Sequence, residues 1–231
     1  MLSINKLSDI VPYSEAWFTA RLGKMTSSKI HCICGAKGIG DGGMTYIRNK
    51  ASEVITGVST EKNITTEAIL FGIENEPKSI KHWKIAKNIY RVTEDVHIIH
   101  NDLFASTPDA LAFLDEKLMF AENETLLNCC TVESKSYMTP SEHMKHIECK
   151  TPEDIKAINP QLFWQCVSQI YFADVMRGYA IFFHPHFPEG NYYRASQVLF
   201  KRVDMQKDFT LLKDRINEAT ELYNNILNKG K

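Results

Sequence analysis

The chain has 231 residues, with 27 Lys and Arg balanced by 28 Asp and Glu for a formal net charge of −1. That length favours one substantial core, and 44% hydrophobic with 24% charged residues is ordinary for a globular protein. The balance excludes a uniformly basic surface for gripping nucleic acid, but not a site that holds phosphates through cations and local basic patches.

No continuous apolar stretch reads as a leader or a membrane span, so a single domain over 1–231 in the cytoplasm is expected. Residues 14–34 read as two short helices around Gly23, the second opening on a Thr26–Ser28 cap. The loop GAKGIGDGGM lacks the Lys-Ser/Thr ending of a phosphate-binding Walker loop. Residues 44–57 look helical, and 66–88 form an amphipathic helix interrupted near Pro77. Residues 90–99 are rich in β-branched and aromatic side chains, and 104–113 read as two strands around a turn. A long irregular segment, 115–145, reads as an insertion. Beyond it come a strand at HIECK, a helix at 159–177, strands at 179–183 and 197–203, and a closing helix at 205–228. This order predicts an α/β (α+β) fold.

The six cysteines include Cys32-x-Cys34 and Cys129-Cys130, poor matches to zinc-site spacing, so free thiols are expected. The eight histidines contain no H-E-x-x-H. The carboxylates are more informative. Asp109 follows Pro108 at a strand turn, and in HIECKTP a strand would place Glu148 and Lys150 on one face with Ile147 and Cys149 on the other. If the two strands pair, Asp109 and Glu148 converge into a hard-cation site for Mg²⁺ or Mn²⁺, with Lys150 beside it to orient or deprotonate water. Glu76, four residues after Gly72, is a third candidate acid. A second Glu-x-Lys, Glu133 and Lys135, lies inside the segment read as an insertion. Glu148 and Lys150 are preferred because Ile147 and Cys149 supply an apolar face and Pro152 follows.

Asp109 with Glu148-x-Lys150 resembles the signature of PD-(D/E)xK nucleases. The ordered series Trp17-x3-Arg21-x-Gly23-x2-Thr26-x-Ser28, Phe71-Gly72-x3-Glu76, Thr107-Pro108-Asp109, Glu148-Cys149-Lys150-x-Pro152 and a helix bearing Gln165 and Gln169 resembles the lambda exonuclease (YqaJ-type viral recombinase) family over about 13–203. The resemblance implies a restriction-endonuclease-like core with a mixed sheet flanked by helices. It implies two Mg²⁺ ions, with Mn²⁺ able to replace them, held by Glu76, Asp109, Glu148 and the Cys149 carbonyl. Lys150 would activate water with Gln169 beside it. Arg21, Ser28, Thr107 and Lys156 would form a 5′-phosphate pocket, with Trp17 stacking near the DNA end. The activity implied is 5′-to-3′ digestion of linear duplex DNA to 5′-mononucleotides, leaving 3′ overhangs for an annealing protein. A homo-oligomeric, trimeric ring is implied as well. A PD-(D/E)xK endonuclease or RecB-like nuclease, and a catalytically inactive DNA-end-binding recruitment module, are the alternatives.

Overall fold

The central element is a five-stranded sheet ordered β2-β5-β6-β7-β8, built from Arg91–Glu94, Ala110–Phe113, Cys129–Lys135, Arg177–Phe183 and Ala195–Lys201. The structure is a computed structural model that describes residues 14–60, 66–89, 91–94, 96, 98–99, 101–114 and 129–229. β6 and β7 run parallel, and the other pairs in this sheet are antiparallel. A small second sheet orders β1 (Met25–Thr26), β4 (Phe104–Ser106) and β3 (Ile98–Ile99). The two strands expected in 104–113 are present but lie in different sheets: β4 lies between β1 and β3, while β5 crosses to the large sheet.

Strand alternation sorts the core into two layers. Ala110, Ala112, Cys130, Val132 and Ile181 face Ile80 and Trp83 of helix α3 (Glu67–Lys87). The intervening residues Leu111, Phe113, Cys129, Ala180 and Phe182 belong to the larger core. That core also contains Phe163, Val167 and Ile170, which lie on a helix spanning Pro160–Ala173. Glu133 is two and four residues from Thr131 and Cys129, so it shares their face and points toward that helix.

The remaining helices are α1 (Glu15–Arg21), α2 (Asp41–Thr56), α4 (Pro140–Ile147), α5 (Pro152–Ile158), α6 (Pro160–Ala173) and α7 (Gln206–Lys229), with short 3-10 turns at Ser27–Cys32 and Arg202–Met205. The expected second helix after Gly23 is thus a two-residue strand leading into a 3-10 turn. α3 runs unbroken through Pro77: the proline removes one backbone donor, while Asn75, Ser79, Ile80 and Trp83 are buried on either side of it. HIECK is not a strand. Pro140 sits in the first turn of α4, and His143, His146 and Ile147 are its buried residues at helical spacing. Glu148 is the helix C-cap. Part of the expected insertion is also core, because 129–135 is a central strand; residues 115–128 lie outside the described residues.

α6 rests against the sheet at Gly178, where no side chain fits. A Cβ there would stand 2.6 Å from Thr131 Oγ1 and 2.9 Å from Ile170 Cγ1. Gly178→Ala should therefore push α6 off β6 and β7, costing about 2 kcal/mol of stability in a denaturant titration. An unchanged midpoint would show that the contact is loose.

Candidate nuclease site

Asp109 immediately precedes β5 and Glu133 lies on β6. The observed pairing of Ala110 with Val132 carries one step further to set Asp109 opposite Glu133. The Asp109 carboxylate accepts the Ser134 backbone N–H at 2.7 Å, which fixes it at the strand start. Glu133 is 1% exposed, and three donors hold its carboxylate. Gln165 Nε2 and Lys135 Nζ each reach Oε1 at 2.5 Å, and Gln169 Nε2 reaches Oε2 at 2.5 Å. One helical turn separates the two glutamines, so α6 presents both amides to a single carboxylate.

The electrostatics follow from this crowding. Burial, then the charge of Glu133, raise the Asp109 pKa well above the usual aspartate value; the charge of Glu76 adds to this, while Lys135 and the Ser134 amide oppose it. Burial works against the charge of Lys135, but Glu133 and Asp109 outweigh it and hold the ammonium above the ordinary lysine pKa. Glu76 is half-buried on α3, and its charge is among those that raise the Asp109 pKa.

The structure does not bring Glu148 and Lys150 to Asp109. Both are exposed, and Lys150 Nζ donates to the Ile147 carbonyl at 3.1 Å and to the Tyr192 hydroxyl at 2.8 Å. Cys149 is buried, with its thiol on the Lys145 carbonyl at 3.7 Å. The alternation of buried Ile147 and Cys149 with exposed Glu148 and Lys150 is real, but it comes from a helix end and the turn after it. The Glu-x-Lys pair that meets Asp109 is Glu133 and Lys135.

A second cluster lies at the N-terminal side. Arg21, 8% exposed at the end of α1, donates from Nη1 to Thr107 Oγ1 at 3.0 Å, and its guanidinium lies 4.2 Å from the Trp17 ring centroid. Thr107 is two residues before Asp109, which links this cluster to the carboxylates. Ser28 Oγ lies 3.2 Å from Thr26 Oγ1 in the adjoining 3-10 turn. β1 and β4 pair in parallel, so Ser27 and Ser106 follow the last paired residues; each has a buried hydroxyl with no hydrogen-bond partner among the described residues. Lys156 is committed elsewhere: it pairs with Asp208 at 2.6 Å and covers the rings of Phe163 and Trp164.

The sequence profile of the YqaJ-like viral recombinase domain matches residues 16–176. The chain belongs to the YqaJ-like viral recombinase family. No curated protein sequence matches it. Among solved structures it is similar to an alkaline exonuclease, LHK-Exo, from Laribacter hongkongensis, with 20% identity over 94% of this chain and 98% of that one, and a TM-score of 0.65. A phage-related exonuclease from Haemophilus somnus 129PT is similar at 13% identity over 90% and 96% of the two chains, with a TM-score of 0.64. The shared fold is the mixed α/β core of these exonucleases, as the order of elements predicts. No described helix of this family member is long and apolar enough to cross a membrane.

Asp109 and Glu133 stand opposite each other, and burial, then the charge of Glu133, with Glu76 adding to them, raise the Asp109 pKa; carboxylate oxygens of this kind are the donors a hard divalent cation takes. Among the described residues no three His, Cys, Asp or Glu side chains form a ready-made cage.

Proposed function

We propose that this chain is a metal-dependent 5′-to-3′ exonuclease that digests linear duplex DNA from its ends, releases 5′-mononucleotides and leaves 3′ overhangs for a strand-annealing protein. The observation that carries the reading is the meeting of Asp109, Glu133 and Lys135 across β5 and β6, with Arg21 held to Thr107 two residues upstream. In this reading Glu76, Asp109 and Glu133 hold Mg²⁺ or Mn²⁺. A cation bound there would supply Lewis acidity and neutralise charge on the scissile phosphate.

The protein's own contribution is placement. Gln165 and Gln169 lock the Glu133 carboxylate between them, leaving little freedom in its orientation. Lys135, kept cationic, orients the attacking water and offsets phosphate charge. The Arg21 guanidinium suits forked recognition of a terminal phosphate, and the Ser27, Ser28 and Ser106 hydroxyls are further donors nearby. Trp17, stacked on Arg21, stiffens that fork. Family membership supports a role in phage-type recombination, and LHK-Exo has also been crystallised with dAMP, a mononucleotide. A homo-oligomeric ring around DNA belongs to the same proposal.

The test is digestion of linear duplexes bearing 5′-phosphate or 5′-hydroxyl ends, beside closed circles, with Mg²⁺. Mononucleotide release, fastest from phosphorylated ends and absent from circles, is expected. Cleavage of circles would replace this reading with an endonuclease.

A further inference from the structure

Helix α2 carries a buried ion pair that the catalytic chemistry does not use. Lys50 and Glu53 are 2% and 0% exposed, with Lys50 Nζ 3.2 Å from both Glu53 oxygens. Glu53 Oε2 also accepts the Gly23 N–H at 2.8 Å, while Oε1 accepts the Thr60 N–H and hydroxyl at 2.9 and 2.7 Å. Burial alone would raise the Glu53 pKa, but the Thr60 hydroxyl, the Gly23 and Thr60 amides and Lys50 outweigh it and hold the carboxyl below its usual value. Two turns earlier on the same helix face, the Tyr46 hydroxyl accepts the Thr26 N–H at 2.9 Å.

These contacts bracket one segment. Gly23 is two residues after Arg21, and Thr26 is two before Ser28. Gly23 has a φ of +72°, and a Cβ there would stand 2.3 Å from Val54 Cγ2 on α2. The turn from Arg21 to Ser28 is thus pressed onto α2 with both of its flanking amides capped by α2 side chains. A buried ion pair is a poor device for stability alone, because its desolvation consumes most of the attraction. It is well suited to fixing one backbone position against another.

We propose that Glu53 and Tyr46 are positioning residues for 5′-phosphate recognition: they hold the Gly23 and Thr26 amides so that Arg21 and Ser28 face one terminal phosphate. This rests on the reading of Arg21 and Ser28 as a phosphate pocket. Neither residue touches the phosphate.

The experiment compares steady-state kinetics of the wild type, Tyr46→Phe and Glu53→Gln on duplexes with 5′-phosphate and 5′-hydroxyl ends. Tyr46→Phe deletes a single acceptor and keeps the ring, so it retains a readout if Glu53→Gln fails to fold. The expected result is a rise of about fivefold in KM on phosphorylated ends, the scale of one lost hydrogen bond, with kcat and the KM on hydroxyl ends unmoved. Equal changes on both substrates, or none in a wild type that prefers phosphate, would overturn the positioning role and leave the pocket standing. A wild type that does not distinguish the two ends would overturn the pocket and this proposal together.

Discussion

Glu133→Gln and Lys135→Ala are each expected to lower the rate of duplex digestion by about 10³-fold, while Glu148→Gln and Lys150→Ala leave it within about twofold. Glu133 is enclosed by Gln165, Gln169 and Lys135 and lies across the strand pair from Asp109. Glu148 ends a helix in solvent, and the Lys150 ammonium is occupied by a carbonyl and a tyrosine hydroxyl. Paired digestion assays on the four variants separate the two Glu-x-Lys pairs directly. Loss of activity in the Glu148 and Lys150 variants alone would move the chemistry to the end of α4.

Asp109→Asn is expected to abolish digestion and at the same time to stabilise the protein. The folded-state pKa of Asp109 is raised by burial and by Glu133, with Glu76 adding to them, so ionising it works against the fold. The sign follows from linkage. Below the unfolded aspartate pKa, about 3.9, the carboxyl is neutral in both states and the substitution gains nothing. As pH rises through the raised folded pKa, the wild type loses stability that the asparagine variant keeps. The gain grows from there toward neutral pH, where it is on the order of 1 kcal/mol or about 2–4 °C in Tm. The amide oxygen can still accept the Ser134 N–H, so the ladder contact survives. Added Mg²⁺ should raise the melting temperature of the wild type and have little effect on the variant, because a ligand stabilises only the state that binds it. Thermal melts at pH 4 and pH 7, with and without Mg²⁺, read all of this; a variant less stable than the wild type at neutral pH would contradict the crowding of the acids.

Much of the fold was legible because its signals are local. The helices at 41–56 and 206–229 and the strands at 177–183 and 195–201 follow from periodicity and β-branched runs, with bounds shifted by a few residues. The ordered series from Trp17 to Gln169 carries the family across weakly specific pieces. The choice between two Glu-x-Lys pairs was harder, because Ile147 and Cys149 alternate with Glu148 and Lys150 as a strand would. Two signals pointed the other way: Pro140 followed by His143, His146 and Ile147 at helical spacing, and the run Cys129-Cys130-Thr131-Val132 leading into Glu133. The second is masked by the irregular stretch before it, which makes a central strand look like part of an insertion. The spacing of Gln165 and Gln169 is informative once Glu133 is opposite them, since one turn of helix reaches both oxygens of one carboxylate. The brace of Glu53 and Tyr46 has no sequence signature. Glu53 meets Gly23 across 30 residues, and neither residue differs in type from those on an exposed helix face.

The most direct test of the carboxylate centre is a crystal soaked in Mn²⁺ and measured at the manganese absorption edge. An anomalous peak among Glu76, Asp109 and Glu133, lost in Asp109→Asn, is the expected result. A peak at Glu148, or none among the three acids in crystals of active protein, would contradict it.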